Sequence, residues 1–255
     1  SSVMKKLFHI AYDLQHQDTC LLDMYLPDTD ASCPVFIFFH GGGLESGNRE
    51  LSQEFIAPFL SKGIALVSAD YRMYPEARFP EFVEDAAKAI CYTLDYGKRR
   101  NLFREIYVGG TSAGAYLSMM VYFNPHYLGQ YGISPDDIKG WIFDAGQPTV
   151  HFNILRERGL DTRLVRVDEA APLYFVDRDK NQAEQSELMF LVSDHDMVNR
   201  YEQTKLMLKT MEHFRYDMSK IKFRLMVGHT HCSYSIAGMA SGFICGISGI
   251  ESTHE

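Results

Sequence analysis

The feature that most constrains this chain is a series of short apolar runs separated by segments of helical period. Residues 34–39 (Pro34, Val35, Phe36, Ile37, Phe38, Phe39) contain no polar side chain. Successive side chains of a strand point to opposite faces, so an unbroken apolar run predicts a strand buried on both faces. Residues 64–68, 105–108, 141–143, 188–192 and 223–227 give further strand-length runs, and residues 25–27 end an earlier extended segment. Between them, Phe82, Ala86, Ile90 and Leu94 recur every fourth residue after Pro80, and Met207, Met211 and Phe214 form a similar stripe. Residues 115–121 also read as a helix. Strands of this kind alternating with helices predict an α/β fold, with a mostly parallel central sheet covered by helices on both faces. No internal repeat or low-complexity linker divides the chain, so residues 1–255 are read as one domain.

In a parallel sheet, ligands bind beyond the carboxyl ends of the strands, so chemistry is sought in the loops that follow them. After residues 34–39 comes His40-Gly41-Gly42-Gly43. Glycines open backbone conformations closed to other residues and leave amide N–H groups uncovered, which suits a flexible turn or an oxyanion site. After residues 105–108 comes Gly109-Gly110-Thr111-Ser112-Ala113-Gly114, a G-x-S-x-G pattern centred on Ser112. Its small residues permit a sharp turn from strand to helix, and the helix N-terminus adds positive potential near the serine. After residues 188–192 comes Ser193-Asp194-His195-Asp196, and after residues 223–227 comes Gly228-His229-Thr230-His231. Each of these alone reads as a polar loop. Together, Ser112, Asp196 and His231 give the order Ser, Asp, His at separations of 84 and 35 residues. That is the chain order of an α/β-hydrolase triad. A serine hydroxyl needs a histidine to take its proton, and the histidine needs a carboxylate to fix its tautomer. His195, His229 and His231 lack a metal-ligand spacing such as H-E-x-x-H, so no metal is expected.

Composition narrows the partners. With 46% hydrophobic and 23% charged residues, the 255-residue chain has the make-up of a soluble globular protein. A net charge of −8 argues against a nucleic-acid partner, and Lys98-Arg99-Arg100 reads as a helix end. No apolar run approaches the roughly 18 residues that would span a bilayer. Nor does an apolar stretch follow Lys5 and Lys6 as in a signal peptide. Five cysteines (Cys20, Cys33, Cys91, Cys232, Cys245) without a C-x-x-C argue against a disulfide framework and fit a cytoplasmic location. Residues 147–182, with Arg156, Glu157, Arg158 and Arg163, read as a charged surface segment, with a small lid as the alternative. Residues 235–250 are small and apolar and read as a last helix or part of a homodimer contact.

Several of these motifs resemble one family. His40-Gly41-Gly42-Gly43, Asp70-Tyr71-Arg72-Met73-Tyr74-Pro75-Glu76, Phe79-Pro80 and Gly110-Thr111-Ser112-Ala113-Gly114 are similar to the hormone-sensitive-lipase-like carboxylesterases and acetyl esterases of the α/β-hydrolase fold. The resemblance covers about residues 20–235. It implies Ser112 as nucleophile, Asp196 as acid, His231 as base, and the amides of Gly42, Gly43 and Ala113 as oxyanion hole, with Gly41 a weaker candidate. Asp196 is preferred to Asp194 because Asp196-Met197-Val198 resembles the family's acid loop. His231 is preferred to His229 because the family's histidine stands three residues after a strand-end glycine, here Gly228. His40 and residues 70–76 are implied to hold the glycine loop in place. The implied activity is that of a serine carboxylesterase. It would cleave small-molecule esters of short acyl groups, acetyl above all, through an acyl-enzyme and without a cofactor. An amide or peptide hydrolase, or a non-catalytic ligand receptor on the same fold, are the alternatives. The chain departs from the family at Thr111, where Asp is common, and at Cys232-Ser233-Tyr234, where Gly-Phe is usual. Only 39 residues precede the glycine loop, so the N-terminal cap is expected to be reduced or absent, which favours short acyl groups.

Overall fold

A computed structural model describes residues 5–177 and 184–250 of the chain. Strands β1 (Lys5–Ala11), β2 (Leu21–Leu26), β3 (Cys33–Phe39), β4 (Ala65–Ala69), β5 (Phe103–Thr111), β6 (Gly140–Asp144), β7 (Glu187–His195) and β8 (Ile221–Thr230) form one sheet. Its order is β1-β2-β4-β3-β5-β6-β7-β8. β1 and β2 are added antiparallel at one edge, and β4, β3, β5, β6, β7 and β8 run parallel. Every residue of β3, β4 and β6 is buried, as an apolar run covered on both sides requires.

Two cores flank the sheet. On one face Val35, Ile37 and Phe39 pack against α2 (Glu81–Arg100), α3 (Ala113–Phe123) and α6 (Arg200–His213). On the other, Phe36 and Phe38 pack against α1 (Gln53–Leu60) and α7 (Ala237–Ser248). The predicted stripe of α2 is buried at Phe82, Ala86 and Ile90. All eleven residues of α3 are buried, so its hydrophobicity runs all round the helix. Lys98, Arg99 and Arg100 form the last turn of α2, where cations meet the negative end of the helix dipole. Arg99 pairs with Asp95 and the Arg100 guanidinium lies 3.7 Å over the Tyr96 ring. Two short helices, α4 (His126–Gly129) and α5 (Phe152–Glu157), sit on connecting segments, α5 within 147–182. Residues 178–182 of that segment lie outside the described residues. No helix among the described residues is long and apolar enough to cross a membrane.

The elements depart from the sequence expectation at particular places. β5 runs on through Gly109 and Gly110 to Thr111 because both neighbours continue the ladder, Phe39 beside Gly110 and Asp144 beside Thr111. β8 is not buried on both faces. It is the sheet edge, flanked by β7 alone, and Phe223 and Val227 are 40% and 70% exposed. Phe214 caps α6 instead of completing its stripe and is 40% exposed. β1 and α1 were not expected, because β1 is a mostly exposed edge strand without an apolar run and α1 buries only Ile56 and Phe59.

The serine turn depends on a close approach of α3 to β3. A Cβ on Gly114 would lie 1.9 Å from the Phe39 carbonyl oxygen. Gly114→Ala is therefore expected to lower the urea midpoint by the equivalent of ~1–3 kcal/mol or more, because neither backbone can give way cheaply. An unchanged midpoint would mean that α3 is free to move off the sheet.

Candidate active site

Ser112 stands between β5 and α3 with φ 55° and ψ −113°. A non-glycine residue with positive φ is strained, and such strain persists only where the surroundings hold it. Here the backbone N–H of Ser112 donates to the Asp144 carbonyl at 2.7 Å, and its carbonyl accepts from Tyr116 N. The flanking glycines are required: a Cβ on Gly110 would lie 2.4 Å from Gly114 C. The turn lifts the hydroxyl off the sheet at the N-terminus of α3.

Ser112 Oγ lies 2.8 Å from His231 Nε2, and His231 Nδ1 lies 2.7 Å from Asp196 Oδ1. The Asp196 carboxylate is fully shielded from solvent and accepts a further bond from Met197 N. Asp194 goes elsewhere: its Oδ1 accepts from Gly228 N and His195 Nδ1, which hold it below the usual carboxylate range. His229 packs edge-on against Tyr234. The structure thus joins Ser112, His231 and Asp196 in one line and leaves Asp194, His195 and His229 outside it. Cys232 Sγ is 3.5 Å from His231 Nε2, and burial pushes its thiol pKa up.

The glycine loop lies beside the serine. A Cβ on Gly41 would meet Thr111 O at 3.0 Å. Gly42 has φ 119°, and a Cβ there would fall 2.0 Å from Ser46 O. Among the described residues, the backbone N–H groups of Gly42, Gly43 and Ala113 have no acceptor. The loop is fixed from below. His40 stacks on Tyr71, donates from Nδ1 to Gly41 O, and is held neutral by burial. Tyr71 OH donates to His40 O. Asp70 accepts from Arg49 N, and the Arg49 guanidinium bridges Asp70 and Asp23. Tyr74 N donates to Leu44 O.

Sequence reasoning missed two residues here. Asn153, on α5, donates from Nδ2 to Gly43 O and so orients the loop. Nothing in the sequence distinguishes it. Asp144 ends β6 and is 1% exposed. Its Oδ2 accepts from Thr111 Oγ1 at 2.9 Å and its Oδ1 from Tyr234 OH at 2.7 Å. An acid at a strand's carboxyl end, just after the apolar residues 141–143, was the available signal. The described part of 147–182 borders the site: Gln147, Phe152 and Leu164 line a cavity of about 430 Å³ together with Met197 and Val198 of the acid loop.

Burial raises the Asp144 carboxyl from 3.8 to about 6, against the pull of its two hydroxyl donors. A carboxyl raised in the folded state contributes stability that is full below its unfolded value and lost as pH rises through its folded one. Asp144→Asn removes that titration. Relative to wild type, the variant should gain on the order of 2 kcal/mol between about pH 4 and pH 7, read from urea midpoints. A difference that does not vary with pH would contradict the assignment.

The family model described as BD-FAE matches residues 22–127, which hold the glycine loop and Ser112 but not Asp196 or His231. Kynurenine formamidase of Salmo salar is 27% identical over 126 residues, 49% of this chain and 41% of that protein. Carboxylic ester hydrolase LipN of Mycobacterium tuberculosis is 29% identical over 121 residues, 46% of this chain and 32% of that protein. These matches span less than half the length of the relatives. Among solved structures, a truncated carbohydrate esterase from gut microbiota has a TM-score of 0.75 at 19% identity, covering 96% of both chains. Esterase 2 of Thermogutta terrifontis with propionate bound has a TM-score of 0.74 at 17% identity, covering 99% of this chain and 97% of that one. The resemblance read from the motifs and the sheet order observed here therefore agree, and the chain has the α/β-hydrolase fold.

Proposed function

We propose that this chain is a serine hydrolase of short-acyl esters. The observation that carries the reading is the line Ser112 Oγ, His231, Asp196, at 2.8 and 2.7 Å, on three different strand ends. Ser112 attacks the ester carbonyl while His231 Nε2 takes its proton. Asp196 holds the ring with Nε2 facing the serine and stabilises the imidazolium. The N–H groups of Gly42, Gly43 and Ala113 receive the charge that develops on the carbonyl oxygen, pre-aligned and at no cost in reorganisation. His231 then protonates the leaving alcohol and later activates the water that frees the acyl group from Ser112. The chemistry needs no cofactor.

Short acyl groups are favoured because charged residues line the cavities beside the glycine loop. One of about 560 Å³ next to Gly41 and Thr111 carries Glu50 and Glu54. One of about 470 Å³ next to Asn153 carries Glu45, Arg78, Arg156 and Glu157. A long alkyl chain laid there would desolvate those charges. The propionate held by the Thermogutta terrifontis esterase is a short acyl acid of this kind. Residues 147–177 serve as a small wall over the acid loop within a single domain. An amide reading is kept for one reason: kynurenine formamidases of Salmo salar and Danio rerio are among the relatives.

Hydrolysis of p-nitrophenyl esters of two to twelve acyl carbons tests the proposal. Turnover should peak at two to four carbons, and Ser112→Ala should lower kcat by roughly 10⁴ to 10⁶. Asp196→Asn should cost about 10⁴. A peak at ten or more carbons, or near wild-type turnover by Ser112→Ala, would overturn it. Faster cleavage of matched anilides than of esters would favour the amide reading.

A further inference from the structure

We propose that Asp144 is a positioning residue of this site, clamping the turn of Ser112 to the loop of His231 and presenting a second carboxylate to the imidazolium. The inference rests on the roles proposed above for Ser112 and His231. Asp144 receives three hydrogen bonds from both halves of the site. Its carbonyl accepts from Ser112 N at 2.7 Å, and its Oδ2 from Thr111 Oγ1 at 2.9 Å, so it grips the serine turn twice. Its Oδ1 accepts from Tyr234 OH at 2.7 Å, and Tyr234 lies three residues beyond His231. β5 and β8 are not neighbours in the sheet; β6 and β7 stand between them. The two reacting groups therefore need a tie across the ends of the strands, and Asp144, on β6, supplies it.

The Asp144 carboxylate is 1% exposed, and no lysine or arginine pairs with it among the described residues. The charged and titratable groups around it are His231, Cys232 and Tyr234 from the histidine loop, Asp196 from the acid loop and Arg200 from α6, whose guanidinium donates to the neighbouring Ala145 carbonyl at 2.6 Å and interacts electrostatically with Asp196 and Cys232. Arg200 is spent on that carbonyl and forms no ion pair with Asp144, and of the others only His231 becomes a cation, when it takes the proton of Ser112. A buried carboxylate without an ion-pair partner is destabilising at neutral pH. Asp144 offsets that cost by attracting the imidazolium as it forms.

The test uses a fluorophosphonate, which labels a nucleophilic serine whatever the natural substrate, alongside p-nitrophenyl acetate turnover. Labelling displaces fluoride and forms an Oγ–P bond on Ser112 while His231 accepts the proton. Tyr234→Phe and Thr111→Val should each slow labelling and lower kcat about tenfold or more, the size expected of a lost hydrogen bond to a charged group, with KM nearly unchanged. Thr111→Ser, which keeps the hydroxyl, should restore most of the rate. Asp144→Asn should lower the plateau of kcat/KM and move its acid limb to lower pH, because an anion beside the imidazolium is gone. Rates of Tyr234→Phe and Thr111→Val within about twofold of wild type would overturn the clamp, as would a change confined to KM or a Thr111→Ser as slow as Thr111→Val. An unmoved acid limb in Asp144→Asn would overturn the electrostatic role. Wild type that takes up no label would instead overturn the serine reading itself, and this inference with it.

Discussion

The site depends on one strained residue. Ser112 has a backbone conformation that costs of order 1–3 kcal/mol, and the surrounding packing must hold it there. The restraint comes from both sides of the turn. β5 is paired with β3 up to Gly110 and with β6 up to Thr111, and α3 starts at once after Ser112 with every side chain buried. Relaxing φ at Ser112 would have to move a fully buried helix or break the end of a central strand. Gly110 and Gly114 let the two elements come close enough for this, and side chains there would collide with backbone. The same strain exposes the hydroxyl, so the feature that is unfavourable for the fold is what gives the serine its reach.

Charges around the site fall into two groups. Asp23 and Asp70 share Arg49, and Asp85 binds Arg72. These pairs fix the glycine loop and the segment from Asp70 onward, and each carboxylate has a permanent cation. Asp144 and Asp196 are as deeply buried but are met by hydroxyls, a backbone N–H and the His231 imidazole. Paired carboxylates are settled before any reaction, while those facing an imidazole leave its charge free to change. Asp144 and Asp196 have no lysine or arginine ion pair among the described residues, and they lie where the proposed reaction needs a cation for only part of its cycle.

The sheet was legible in the sequence because central strands must exclude polar residues, and β3, β4 and β6 do. Its edges were less so. β1 carries Lys5, Lys6 and His9 on a mostly exposed strand, and the apolar run of β8 looks like that of a central strand although one side of it has no neighbour. The order Ser112, Asp196, His231 could be read because each residue follows a strand end, where the backbone leaves the sheet. Asn153 could not, since its partner is a carbonyl 110 residues away on a different loop. Asp144 had the same strand-end signature as the triad but no motif around it. Its partners Thr111 and Tyr234 stand where the sequence departs from the motifs it resembles, which ties those departures to one shared contact.

The choice between neighbouring acids shows how backbone geometry decides what spacing alone leaves open. Asp194 and Asp196 are two residues apart, and on a regular strand they would point to the same face. The register of β7 against β8 shifts between Ser193 and His195, and the strand ends there. Asp194 sits at the shift itself, where its carboxylate caps Gly228 N. Asp196 is past the irregularity and drops into the interior, where His231 meets it. The same break acts on the other strand. Gly228 at φ 81° turns the end of β8, and Cys232 at φ 53° turns the chain again just after His231. His229 therefore stays beside Tyr234 while His231 reaches Ser112. Moving either acid or histidine by two residues would keep its sequence motif and lose its place, because the irregular strand ends, and not the regular sheet, aim these side chains.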